Sequence, residues 1–84
     1  MEEKIGIVVK YFAKPEVAAI ELTDGELSVG DTIHIKGHTT DFQTDIKSMQ
    51  IDNASVDHAE KGKSIGIKVG ERVRSNDVVY LVKE

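Results

Sequence analysis

Apolar residues along this chain come in short runs that alternate with polar ones, broken about every ten residues by turn-forming side chains. Ile5-Gly6-Ile7-Val8-Val9 predicts a first strand continuing toward Tyr11 and Phe12. Ala13-Lys14-Pro15-Glu16 reads as a turn, because proline fixes φ and removes a ladder donor. Val17 to Leu22 predicts a second strand, and Thr23-Asp24-Gly25-Glu26 carries an Asp-Gly turn signal. Leu27-Ser28-Val29-Gly30-Asp31 then leads into a strand over Thr32 to Lys36, with Ile33 and Ile35 facing one way and Thr32 and His34 the other. The two glycines here read as a barrel corner.

Between Phe42 and Asn53 the parity changes. Phe42, Thr44 and Ile46 share one face, whereas Met49 and Ile51 fall on the other, which predicts a β-bulge near Lys47-Ser48. Val56 to Gly62 reads as a loop with room for a short helical turn. Ser64 to Val69 is a strand with Ile65, Ile67 and Val69 inward, Gly70 to Asn76 a polar connection, and Asp77 to Val82 the closing strand. No helical period of useful length is present. The pattern predicts an all-β fold, a small closed β-barrel of about six to seven strands, forming one domain over residues 1–84.

Composition narrows the function classes. Zero cysteines exclude a disulfide framework and a thiolate zinc site, so the fold must rest on its apolar core. No apolar run approaches the about 18 to 20 residues that cross a bilayer, and Met1-Glu2-Glu3-Lys4 is unlike a secretory signal. The expectation is a cytoplasmic protein with no membrane partner. A net charge of −4 argues against a general phosphate-backbone binder, and no DNA partner is expected. Basic residues nevertheless cluster: Lys61, Lys63, Lys68, Arg72 and Arg74, with Lys47 and Lys10 able to join them as one positive face.

Three ordered motifs carry a resemblance. Gly25, Leu27, Val29, Gly30, Asp31 and Ile33 form a Gly-x-Leu-x-Val-Gly-Asp-x-Ile turn; Ile46-Lys47-Ser48-Met49-Gln50-Ile51 follows; and Ala59, Gly62, Ile65, Gly66, Ile67 and Val69 complete the set, with Arg74, Asp77 and Val79 at the end. In this order they resemble the second domain of translational GTPases such as elongation factor Tu, over roughly residues 5 to 82, here without a GTPase domain. In that family Gly30 would stand where a Cβ is obstructed, and Leu27 and Val29 would plug one end of the barrel. The resemblance implies a non-enzymatic binding module of the translation-elongation-factor kind, with ribosome, tRNA or a translation-related protein as partner. It places tRNA-end contacts near Gln50, Asp52 and Asn53, although a carboxylate at Asp52 repels an RNA backbone. The candidate RNA- or partner-binding residues are therefore Lys47, Gln50, Asp52, Asn53, Lys61, Lys63, Lys68, Arg72 and Arg74. The alternative is a protein-interaction or accessory subunit of a larger enzyme, because similar barrels are appended to collagenase-like, U32-type peptidases.

Catalytic, cofactor and metal sites have weaker support in the residues. Gly62-Lys63-Ser64 looks like the end of a phosphate loop, but the first glycine it needs is Asp57 and no helix follows. His34 and His38 lie four apart, about 13 Å along a strand, so a metal would require His58 to converge on them through the fold. Asp41, Asp45, Asp52, Asp57 and Glu60 read as turn formers and solvated positions rather than an acid–base pair. No catalytic residue, cofactor or metal is expected. Exposure of Tyr11, Phe12 or Phe42 would favour protein docking.

Overall fold

The structure, a computed structural model, describes residues 2–83. Those residues form ten strands and no helix: β1 (Glu2–Phe12), β2 (Val17–Glu21), β3 (Leu27–Ser28), β4 (Thr32–Lys36), β5 (Asp41–Asp45), β6 (Met49–Ile51), β7 (Ala54–Val56), β8 (His58–Ala59), β9 (Ser64–Lys68) and β10 (Val78–Val82). Eight of them make one sheet in the order β5-β4-β10-β1-β2-β9-β6-β7, and β3 pairs with β8 separately. All pairings are antiparallel.

The all-β expectation holds, but the closed barrel does not. β5 and β7 end the sheet without pairing to each other. The sheet still curls, and the chain shows why. Only Ile46-Lys47-Ser48 lies between β5 at one end and β6 next to the other, and so short a link reaches about 14 Å at most. The parity change is therefore real, with Ile46 and Met49 both buried, yet its cause differs from the expected bulge. The strand breaks at Lys47-Ser48, and the chain steps from one end of the sheet to the other. The bulges fall instead in β1, at Lys4/Gly6 and Val8/Lys10. They let one 11-residue strand bend enough to pair with β10 along its first half and with β2 along its second.

The curled sheet encloses one core, including Ile5, Val8, Ile20, Leu22, Leu27, Ile33, Ile35, Met49, Ile67 and Val79, all at 1–2% exposure or less. Gly6 lies where a Cβ would stand 2.3 Å from the Glu21 carbonyl oxygen, so β1 and β2 approach too closely there for any side chain. Gly30 has a different role from the one expected. Nothing obstructs its Cβ position, and the requirement is its positive φ of 99°. Leu27 plugs the core as expected, whereas Val29 is 38% exposed. The stretch from Val56 to Gly62, expected to be a loop with a helical turn, instead supplies the last residue of β7 and all of β8. Two more residues of the β6–β7 hairpin, Asp52 and Asn53, have φ of 52° and 67° and form its two-residue turn.

Candidate functional site: an outward groove with a basic border

Strand register decides which side chains share the outer face. Lys10 pairs with Ala19, Ala19 with Gly66, and Gly66 with Gln50, giving one row across β1, β2, β9 and β6. The next row runs Phe12, Val17, Lys68. Because Ala19 and Gly66 put almost nothing above the sheet, the first row is a trough. Phe12, Pro15 and Val17 wall one side, and Gln50, Asp52 and Asn53 the other, around a volume of about 460 Å³. Phe12 is 43% exposed, while Tyr11 and Phe42 pack partly buried against the core.

Beside β1 lies a second hollow of about 280 Å³, lined by Lys10, Tyr11, Arg72, Val73, Arg74 and Ser75. Its geometry follows from the end of the β1–β10 pairing. Where β10 leaves off, residues 72–76 run along β1: the Ser75 hydroxyl donates to the Val9 carbonyl at 2.8 Å, and the Asn76 amide donates to the Val8 carbonyl at 2.7 Å. Asn76 turns the chain with φ of 74°, and the buried Asp77 carboxylate accepts from the Arg74 amide at 2.9 Å. Lys10 joins the two hollows, since it lines the basic one while its ammonium sits 5.1 Å from the centroid of Phe12 in the trough. Lys10, Arg72 and Arg74 form no ion pair among the described residues.

The single positive face is thus divided. Lys47 and Lys68 border the seam between the sheet's two ends, a cavity of about 330 Å³ that also holds Glu16 and Asp45. Lys61 and Lys63 sit in the turn before β9, which Gly62 and Lys63 anchor to Leu22 through backbone bonds of 2.7 and 2.9 Å. Gln50, Asp52 and Asn53 do come together, at the wall of the trough. Sequence reading placed Asp52 and Asn53 by family analogy, but the Asp-Asn pair between Ile51 and Ala54 was itself a hairpin signal.

The three histidines do not converge. His34, on β4, is held on both ring nitrogens: Nδ1 by Glu2 at 2.5 Å and Nε2 by Asp41. The Asp41 and Glu2 hydrogen bonds raise its pKa above the ordinary value, and His34 in turn lowers both carboxyl pKa values. With both ring nitrogens engaged by carboxylates, neither is free to bind a metal. No cluster of His, Asp and Glu positioned to hold a metal ion occurs among the described residues.

His58 was missed as a paired residue. Its Nδ1 lies 2.7 Å from the Ser28 hydroxyl, across the β3–β8 pair, and its Nε2 lies 3.6 Å from Glu26. A serine, a histidine and a carboxylate in contact invite comparison with a hydrolytic triad. The backbone amides beside the hydroxyl are already committed, however: Ser28 donates to Asp31 at 2.9 Å and Val29 to the Asp57 carbonyl at 2.9 Å. Neither amide is left to stabilise an oxyanion.

No family model matches the chain. It is 46% identical over 82 residues to an uncharacterized protease of Methanocaldococcus jannaschii, covering 96% of this chain and 20% of that protein. It is 38% identical over 77 residues to a collagenase of Porphyromonas gingivalis, covering 90% of this chain and 21% of that protein. The chain thus spans about one fifth of the length of the curated relatives it matches. In fold it is similar to the C-terminal domain of a Geobacillus thermoleovorans protein assigned to the U32 peptidases, with a TM-score of 0.88 at 17% identity over 96% of this chain and 93% of that one. The selenomethionine variant of that domain gives a TM-score of 0.86.

These matches overturn the translation-factor resemblance, and with it the elongation-factor-like function, the RNA-binding reading and the ribosome or tRNA partner. The misleading motif reports on folding: Leu27 is buried, Gly30 supplies a positive φ and Asp31 caps the Ser28 amide, so a turn of this geometry selects those residues whatever the protein binds. What this chain resembles over nearly its whole length is a fifth of a protease and of a collagenase, and in fold a U32 peptidase C-terminal domain.

Proposed function

We propose that this chain is a protein-interaction domain of the U32 peptidase and collagenase kind, accessory to bond cleavage carried out elsewhere. The observation that carries the reading is the shape of the match: nearly all of this chain aligns at 46% identity with one fifth of a protease, as a module within a larger protein would. The trough supports it. Half-exposed Phe12 beside Pro15, Val17 and Ala19 gives an apolar surface suited to another polypeptide, and the committed amides at Ser28 speak against hydrolysis at His58.

A cleavage assay tests this. Purified chain incubated with fluorescently quenched gelatin and casein is expected to release no signal above buffer. Release that disappears in Ser28→Ala or His58→Ala would overturn the accessory reading and make the Ser28–His58 contact catalytic.

A further inference from the structure

We infer that the trough and its basic border form one binding site for an extended polypeptide segment, apolar along its length and ending in a carboxylate that reaches Lys10, Arg72 and Arg74. This deepens the accessory reading and rests on it.

Dimensions come first. The floor row crosses four strands, from Lys10 on β1 to Gln50 on β6, and adjacent strands lie about 4.8 Å apart. The trough is therefore about 14 Å long, which an extended segment spans with about four to five residues. Its floor is low because of two residues alone, Ala19 and Gly66. A Cβ added at Gly66 would meet only the Val17 side chain, at the ordinary contact distance of 3.4 Å. No positive φ occurs at Gly66, so neither backbone strain nor close packing calls for a glycine. The open floor is thus a feature of the surface and not a demand of the fold.

Charge fixes the occupant and its direction. The protein carries a net charge of −4, yet three cations without ion-pair partners among the described residues gather at the Lys10 end. Asp52 stands at the opposite wall. An apolar segment with its carboxylate toward β1 meets the three cations and keeps its charge away from Asp52, whereas the reverse orientation sets a carboxylate against Asp52. Two guanidinium groups suit a carboxylate well, because each can donate two parallel hydrogen bonds. Ser75, whose hydroxyl is already spent on the Val9 carbonyl, holds the loop that carries them. Lys10 is the joint between the halves, stacked on Phe12 and lining the basic hollow.

The test is fluorescence anisotropy of the whole chain with labelled six-residue peptides of valine, leucine and alanine, each blocked at both termini and carrying Asp, Asn or Lys as the last residue, so that only the Asp peptide presents a carboxylate. Tightest binding is expected for the Asp peptide, about tenfold over the Asn peptide, with loss of that margin at high salt. Gly66→Leu should fill the floor and weaken the Asp peptide about tenfold or more while leaving the circular dichroism spectrum and melting curve intact. The paired variant Arg72→Glu/Arg74→Glu should reverse the preference toward the Lys peptide, which keeps the test decisive even where Gly66→Leu fails to fold. Absence of binding, or binding equal for all three peptides and unmoved by the charge reversal, would overturn the site. Such a result leaves the accessory reading standing, since that reading falls only to cleavage by the chain itself.

Discussion

His34 shows how one side chain can resemble a site and act as a fastener. Its ring joins Glu2 on β1 to Asp41 on β5, across β4 and β10, so it ties the start of the chain to one end of the sheet. The linkage has a definite sign. Because the folded pKa of His34 lies above its ordinary 6.5, its stabilisation is complete below that value and fades as pH rises through the raised one. Glu2 and Asp41 are lowered from 4.5 and 3.8, so their share is present above those values and fades as pH falls through the lowered ones. The cluster is strongest between about pH 4.5 and 6.5. Thermal unfolding of His34→Gln should show its largest deficit in that window, shrinking toward alkaline pH; a deficit that is constant with pH would contradict the assignment. Gly6 gives the second prediction at this scale. Gly6→Ala forces a Cβ against the Glu21 carbonyl and should cost about 1–3 kcal/mol in urea unfolding. None of this was visible in the sequence, where Glu2, His34 and Asp41 lie far apart and Gly6 sits in an unremarked apolar run.

At the level of elements, alternation made β2, β4, β9 and β10 legible to within a residue or two, because each has one face in the core and one in solvent. β1 was located but not understood: Ile5 and Val8 are both buried despite opposite parity, since two bulges reset the face along the strand. β3, β7 and β8 are two or three residues long, too short to show any period. The break at Lys47-Ser48 is the most instructive case. A parity change looks the same in sequence whether a strand bulges or ends, and only the pairing of β5 with β4 and β6 with β9 tells them apart. Because the sheet stays open, its end strands are its weak points. Amide exchange should be faster in β5 and β7, each paired on one side, than in β1 and β2. Equal protection across all strands would mean the ends pair in solution as a closed barrel.

For the whole molecule, the residues proposed from sequence fall in separate places. Gln50, Asp52 and Asn53 line the trough and Arg72 and Arg74 the basic hollow, whereas Lys47 and Lys68 line the seam and Lys61 and Lys63 sit in the turn before β9. The floor of the trough, Ala19 and Gly66, could not be read from sequence, because what matters there is the absence of side chains in register on neighbouring strands. Likewise Lys10 and Arg74 are brought together by a loop that takes the place of a strand beside β1. No helix among the described residues is long and apolar enough to cross a membrane. The central claim, that the molecule holds polypeptide without cutting it, is open to one direct measurement: amide chemical shifts of the isotope-labelled chain titrated with unfolded gelatin, followed by sizing of the recovered gelatin. The account predicts shifts confined to Lys10, Phe12, Ala19, Gln50, Gly66 and residues 72–75, with the gelatin recovered at full length; shifts centred on Ser28 and His58 with shortened gelatin, or no shifts at all, would contradict it.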